Sequence, residues 1–195
     1  KWCMITDYLI GIIMIVFTGI VYPFIALGTH LTSKGPVIIK QTRTGLNGKL
    51  FSLYKFRSMY TVRDDGMANN DAIQFTEKND KRITSFGKFL RKTHLDELPQ
   101  SWNLLQRNLT LIGPRPERPK TIEQLEAKMP YYPLRHVVRP GITGWASIHE
   151  EYFDFVESYL KKLQYDLYYI KNRSWLLDLS ILLKTVNTII RMKGR

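Results

Sequence analysis

From Tyr8 to Thr29 the chain carries no charged residue, and the run YLIGIIMIVFTGIVYPFIALGT approaches the ~20 apolar residues that a membrane-spanning helix needs. A cleaved signal peptide does not fit, because Lys1 is followed by Asp7 instead of a basic cluster and no small-residue cleavage site precedes Lys34. Within the run, Pro23 removes a backbone donor and crowds the carbonyl four residues earlier, so a helix is expected to kink there. The stretch from Tyr8 to Tyr22 would reach only roughly 22 Å at ~1.5 Å per residue, less than the ~30 Å hydrocarbon core. Two courses stay open on these residues: an ordinary kinked spanning helix, or a helix that enters, bends and returns to the same face. Lys34, Lys40 and Arg43 follow directly and place the rest of the chain in the cytoplasm by the positive-inside tendency.

At the other end Leu179, Leu182, Leu183, Val186, Ile189 and Ile190 repeat at helical spacing, opposite Ser180, Lys184, Asn187 and Arg191. This is an amphipathic helix, either lying in the headgroup layer or packed on the domain's own core. The 195 residues suffice for one compact domain. Lys and Arg number 29 against 17 Asp and Glu, a net charge of +12, so the expected partner is an anion: nucleic acid, lipid headgroup or phosphorylated substrate. A lone Cys3 can form no internal disulfide, which suits a reducing compartment. Because the first residue is Lys1 and not Met, the chain reads as a fragment or processed form.

After Gly35-Pro36, Val37 to Gln41 and Leu50 to Met59 read as two strands around a turn containing Asn47-Gly48, a β-hairpin. Lys55 and Arg57 lie two apart on one face of the second strand, where both could meet one anion or simply be solvated. Thr61 to Asp80, with Asp64-Asp65-Gly66 and Asn69-Asn70-Asp71, reads as a long polar loop. Ile83, Phe86, Phe89 and Leu90 then mark a helix decorated by Lys88, Arg91 and Lys92. Next comes Leu95-Asp96-Glu97-Leu98-Pro99, two adjacent carboxylates where another helix begins. Asp96 is expected as an N-cap, with Thr93 to Asp96 resembling a capping box. Capping and catalysis are compatible, since a helix N-terminus favours an ionised carboxylate, the form able to attack phosphorus.

In Gly113-Pro114-Arg115-Pro116-Glu117-Arg118-Pro119 an arginine sits between two prolines, either a rigid phosphate clamp or part of a stiff connector. Arg139-Pro140-Gly141-Ile142-Thr143-Gly144-Trp145 supplies a cation, two turn-permitting glycines and an aromatic face. His94 stands nearest the carboxylates and could shuttle a proton. No Cys or His set has metal-ligand spacing, and neither a phosphate loop nor a dinucleotide fingerprint is present.

Taken together these residues resemble the bacterial sugar transferase family, the monotopic phosphoglycosyl transferases that load a polyprenyl phosphate carrier. The markers are collinear: the proline-broken apolar helix, YKFRSM at Tyr54 to Met59, LDELPQSWN at Leu95 to Asn103, IGPRPERP at Ile112 to Pro119, RPGITGW at Arg139 to Trp145 and YDLYYIKN at Tyr165 to Asn172. The RPERP variant is similar to the long members of the family that act on undecaprenyl phosphate with galactose or glucose, whose catalytic domain follows other modules. The resemblance implies an α+β, mainly helical monotopic membrane domain: a re-entrant helix over residues 1–34, and a cytoplasmic catalytic part over 35–195 with a small β-hairpin and amphipathic interfacial helices.

It further implies that Asp96 attacks the β-phosphorus of a UDP-sugar, releasing UMP, and that polyprenyl (undecaprenyl) phosphate then takes the sugar-phosphate. Glu97, with Asp96, would hold Mg²⁺; Arg91 and Arg115 would neutralise phosphate oxygens, with Lys55, Arg57 and Arg139 as further phosphate or nucleotide contacts. Asp166 lies in a family motif without an assigned role. Family members often carry Ser before the proline, whereas here Tyr22 precedes Pro23, which bears on the bend. The expected setting is the cytoplasmic face of a bacterial inner membrane, with the bilayer and no nucleic acid as partner. The sugar, the glycan pathway and homo-oligomer formation are left open. The rivals are a non-catalytic basic membrane adaptor and a hydrolase of nucleotide sugars or lipid diphosphates.

Overall fold

The computed structural model describes residues 2–60, 80–149 and 156–190. The segment expected as a polar loop lies outside the described residues from Thr61 to Asn79, as do Lys1 and Arg191. The described residues are mixed helix and sheet, 63% of them helical with small sheets, and the chain forms two compact units. The first comprises residues 1–41, 52–106 and 188–195; the second comprises 42–51 and 107–187.

The first unit is built on α1 (Trp2–Thr32), which stays helical through Pro23. The helix therefore does not end at the proline, and the expectation of a break there meets a continuous element. Thr18 Oγ1 donates to Met14 O at 2.6 Å, a back-bond of the kind that bends helices. Most of the apolar surface of α1 is uncovered: Ile13, Ile20, Phe24, Leu27 and Leu31 are each more than 60% exposed. From Met4 to Thr32 the helix is long and apolar enough to cross a membrane, with a mean hydropathy of 2.5 over an 18-residue stretch. Its covered side is made by close approaches. A Cβ on Gly11 would meet Leu105 at 2.9 Å, and one on Gly28 would meet the Phe86 ring at 2.5 Å.

The hairpin pairs β1 (Ile38–Thr44) with β2 (Leu50–Phe56) through a 3₁₀ turn, Leu46–Gly48. Asn47 and Gly48 both have positive φ, at 53° and 76°, which is why Asn-Gly marks this turn in the sequence. Beyond the hairpin, α2 (Ser85–Lys92) is capped by Thr84, whose Oγ1 accepts from Gly87 N at 2.8 Å. A 3₁₀ turn, Leu95–Glu97, and α3 (Gln100–Leu105) follow. Ile25, Val37, Phe56 and Leu90 form the core of this unit, with Val21, Phe86, Leu95 and Leu98 packed around it.

The second unit carries β3 (Thr110–Ile112) and β4 (Gly141–Thr143), paired in parallel with Thr110 opposite Gly141 and Ile112 opposite Thr143. Its helices are α4 (Pro119–Lys128), α5 (Trp145–His149), α6 (Val156–Asn172) and α7 (Trp175–Ile190), with a 3₁₀ segment at Tyr132–Val137. One core gathers Ile122, Leu125, Met129, Tyr132, Tyr159 and Leu163; another gathers Ile112, Tyr169 and Ile181. In α7 the stripe read from sequence divides. Leu182 packs with Ile181 and Leu177 on the core, while Leu179, Leu183, Val186 and Ile189 remain exposed.

The glycines of Arg139–Trp145 have a different purpose from the one expected. Gly141 and Gly144 do not take positive φ. They allow backbone to touch backbone: a Cβ on Gly141 would lie 2.1 Å from Gly113 N, and one on Gly144 would lie 2.2 Å from Gly113 O.

Candidate functional site

Helix α2 ends at Thr93, and the reversal that follows is made by His94, whose backbone is left-handed at φ 57° and ψ 14°. Histidine is among the few side chains enriched in that conformation, and here it turns the chain so that Glu97 N donates to His94 O at 3.1 Å. Leu95 and Leu98 of the resulting turn pack on the core of the first unit, which fixes the two residues between them. Asp96 is 7% exposed. The capping expectation is corrected: Asp96 lies inside the 3₁₀ turn, Pro99 is the N-cap of α3, and neither turn nor helix has a side-chain cap. Thr93 instead donates its hydroxyl back to Phe89 O at 2.8 Å.

Around the carboxylates the first unit places several cations and one neutral brace. Lys55 Nζ lies 2.8 Å from Glu97 Oε1, with both side chains mostly buried. Arg91 Nε donates to Ser58 Oγ at 2.9 Å. Burial pulls the Arg91 guanidinium below its ordinary pKa, while Asp96, Asp80 and Glu97 attract its charge. Arg57 takes a separate direction. It is 1% exposed and its Nη2 donates to Ser33 O at 2.8 Å, just past the end of α1, so Lys55 and Arg57 do not converge on one acceptor.

The brace is Asn103, fully buried and absent from the sequence-derived candidates. Its Oδ1 accepts from Tyr54 N at 3.1 Å and its Nδ2 donates to Ser52 O at 2.7 Å, so one amide pairs with β2 as a neighbouring strand would. This fastens α3 to the strand bearing Lys55. The available signal was an amide at helical spacing beside buried Leu104, a pattern shared by many solvent-facing asparagines.

Arg115, Arg139 and Asp166 belong to the second unit. Arg115 Nη1 donates to Ile142 O at 3.4 Å. Asp166 is buried with Arg135, Nη2 of which lies 2.7 Å from Asp166 Oδ2. Lys162 pairs with Glu117 Oε1 in the same interior. Burial pushes the Glu117 carboxyl up, but Lys162, Arg135 and Arg43 outweigh it and bring the group down to about 2. Burial and the adjacent Arg135 push the His136 imidazole down to about 4. Arg135, Lys162 and Glu117 are further residues that the sequence analysis did not single out; no spacing rule marks a buried charge.

Among the described residues no group of three or more His, Cys, Asp or Glu is placed to hold a metal ion. Mg²⁺ is a hard cation that commonly takes one or two protein oxygens and completes its shell with water and substrate phosphates, so Asp96 and Glu97 supply oxygen donors of the type it takes.

The chain is thus a mixed helix-and-sheet protein with a long uncovered apolar helix, and beside that helix an acidic pair set among cations. The family model for bacterial sugar transferases matches residues 2–192, and the chain belongs to that family. It is 42% identical to a UDP-N-acetylgalactosamine-undecaprenyl-phosphate N-acetylgalactosaminephosphotransferase of Aeromonas hydrophila, over 82% of this chain and 37% of that one. It is 40% identical to a UDP-glucose:undecaprenyl-phosphate glucose-1-phosphate transferase of Escherichia coli, over 92% of this chain and 38% of that one. A third relative, an uncharacterized sugar transferase of Bacillus subtilis, is 37% identical over 96% of this chain and 87% of its own length. The chain spans less than two fifths of the length of the first two relatives.

Proposed function

We propose that the chain transfers a sugar-1-phosphate from a UDP-sugar to polyprenyl phosphate at a membrane surface, with Asp96 as the nucleophile. The observation that carries the reading is the buried Asp96, held in a tight turn and attracted by Arg91, with Lys55 paired to its neighbour Glu97. The names of the relatives support the donor and acceptor classes.

In the first step an Asp96 carboxylate oxygen forms a bond to the β-phosphorus, and the bond from that phosphorus to the bridging oxygen breaks. UMP leaves with the electron pair. In the second step an oxygen of polyprenyl phosphate attacks the same phosphorus, and the aspartyl oxygen departs as carboxylate. No proton need move at Asp96 in either step when the carboxylate is the attacking form. Arg91 would stabilise charge on the transferring phosphoryl oxygens. Lys55 would hold Glu97 in place. Asp96 and Glu97 would hold Mg²⁺, which when bound neutralises diphosphate charge. Arg115 and Arg139 are proposed as phosphate-binding residues of the second unit, on the family pattern.

The contacts of α1 support a re-entrant course. Gly11 touches Leu105 of α3 and Gly28 touches Phe86 of α2, although they lie ~26 Å apart along a straight helix. A helix crossing the bilayer would carry those two contacts to opposite leaflets, dragging Lys88, Arg91 and Lys92 with one of them. Contact of both halves with one charged body supports a helix that enters and returns on a single face, here the cytoplasmic face of the inner membrane.

The test is UMP release in detergent with UDP-glucose and UDP-N-acetylgalactosamine, with and without undecaprenyl phosphate. Asp96→Asn should lower turnover by at least about a thousandfold, because an amide is a poor nucleophile. Intact-mass spectra without acceptor should show a sugar-phosphate adduct on the wild type and none on Asp96→Asn. Full activity in the variant would refute the assignment, and UMP release independent of acceptor in the steady state would indicate a hydrolase.

A further inference from the structure

The loop around Arg115 is pinned at four successive carbonyls. Pro114 O accepts from Gly141 N at 2.9 Å and Glu117 O from Thr44 N at 3.0 Å. Between them, Arg115 O accepts from Arg135 Nη2 at 2.8 Å and Pro116 O from Arg43 Nη1 at 3.4 Å. Prolines at 114 and 116 have no N–H, so the carbonyls carry most of the means by which the backbone of this loop can be fixed.

The donor on Arg115 is itself built into the interior. Arg135 is 1% exposed, its Nε donates to Asp166 Oδ2 at 2.9 Å, and its Nη1 donates to Tyr132 Oη at 3.2 Å. Lys162 holds the Glu117 side chain two residues further along the loop. Two cations and two carboxylates thus balance inside a cluster of apolar and aromatic side chains. Burial works against the Arg135 charge, but Asp166, Tyr132 and Glu117 more than compensate and hold its proton above the ordinary guanidinium range.

A buried ion cluster of this kind is a poor source of stability, because desolvation consumes most of the attraction and an apolar set of equal volume often does as well. What charge supplies and oil does not is direction: a planar guanidinium with a fixed fork can hold a carboxylate, a phenol and a backbone carbonyl at once.

We propose that Arg135 and Asp166, supported by Glu117 and Lys162, are positioning residues that fix the backbone of Arg115 and so aim its guanidinium at a phosphate group of the substrate. The inference rests on the reading of Arg115 as a phosphate-binding residue. Asp166 thereby acquires a role: it orients Arg135 and does not meet substrate. Lysine at 135 keeps the charge but cannot span Asp166, Tyr132 and the Arg115 carbonyl together.

The experiment is a double-mutant cycle on the full membrane enzyme, reading UMP release from UDP-glucose and UDP-N-acetylgalactosamine with undecaprenyl phosphate, alongside the thermal midpoint of each variant. Arg115→Ala should lower kcat/KM by about a hundredfold, and Arg135→Lys or Asp166→Asn by about ten- to thirtyfold. On the Arg115→Ala background either second change should cost less than about twofold, because the side chain it positions is gone. Wild-type kinetics in Arg115→Ala would overturn the reading of Arg115 itself. A slow Arg115→Ala in which Arg135→Lys still costs its full factor would overturn the positioning role alone. Loss of folded enzyme in both Arg135→Lys and Asp166→Asn would overturn it too, since the cluster would then be holding the fold and not the arginine.

Discussion

Asn103 shows how much one side chain fixes. Its amide satisfies a backbone donor and a backbone acceptor of β2 simultaneously, so Asn103→Ala takes the partner from both Tyr54 N and Ser52 O at a part-buried contact. The expected cost is about 2–4 kcal/mol, read as a lower thermal midpoint; a loss under about 1 kcal/mol would show that water replaces the amide there. His136 gives a second residue-scale prediction. Its pKa falls from 6.5 to about 4 in the folded chain, so the unfolded chain binds the proton more tightly as pH drops between those values. Stability therefore declines over that window. Glu117, lowered from 4.5 to about 2, extends the loss to more acid pH, since its contribution is complete above 4.5 and vanishes as pH falls toward 2. Unfolding midpoints measured from pH 7 to 4.5 should fall less steeply in His136→Gln than in the wild type. Parallel slopes would exclude His136 as the source.

Among the elements, α2 depends most on a missing side chain. A Cβ on Gly87 would lie 1.9 Å from Ser58 O, and Ser58 Oγ is what receives Arg91. Gly→Ala inside a helix ordinarily stabilises by roughly 0.5–1 kcal/mol. Here the approach of α2 to Ser58 reverses the sign, and Gly87→Ala should destabilise by about 1–3 kcal/mol and lower activity through Arg91. A thermal midpoint that rises instead would mean that α2 does not lie this close. The element boundaries read from sequence were near the observed ones for the hairpin, because Asn-Gly demands a positive φ whatever surrounds it. They failed at Asp96, where the capping pattern of Thr93 to Asp96 competed with the left-handed His94 and the packing of Leu95 and Leu98. The tertiary contacts prevailed.

On the scale of the whole molecule, a net charge of +12 and an uncovered apolar helix act on a membrane in different ways. Attraction to anionic headgroups is screened by salt, whereas burial of α1 in hydrocarbon is not. The protein should stay in the membrane fraction at about 1 M salt and leave it only with detergent; release by salt alone would reduce α1 to a surface contact. The sequence by itself determined that an apolar helix, an Asn-Gly hairpin, an Asp96–Glu97 pair and a proline-flanked Arg115 would be present, because each is a local pattern with a local cause. Only the tertiary structure decided that Lys55 faces Glu97 while Arg57 turns to Ser33, that Asn103 completes a strand edge, and that Arg135 and Asp166 hold the Arg115 backbone. Those pairings join residues far apart along the chain, and their energies come from burial and alignment, quantities with no counterpart in residue spacing.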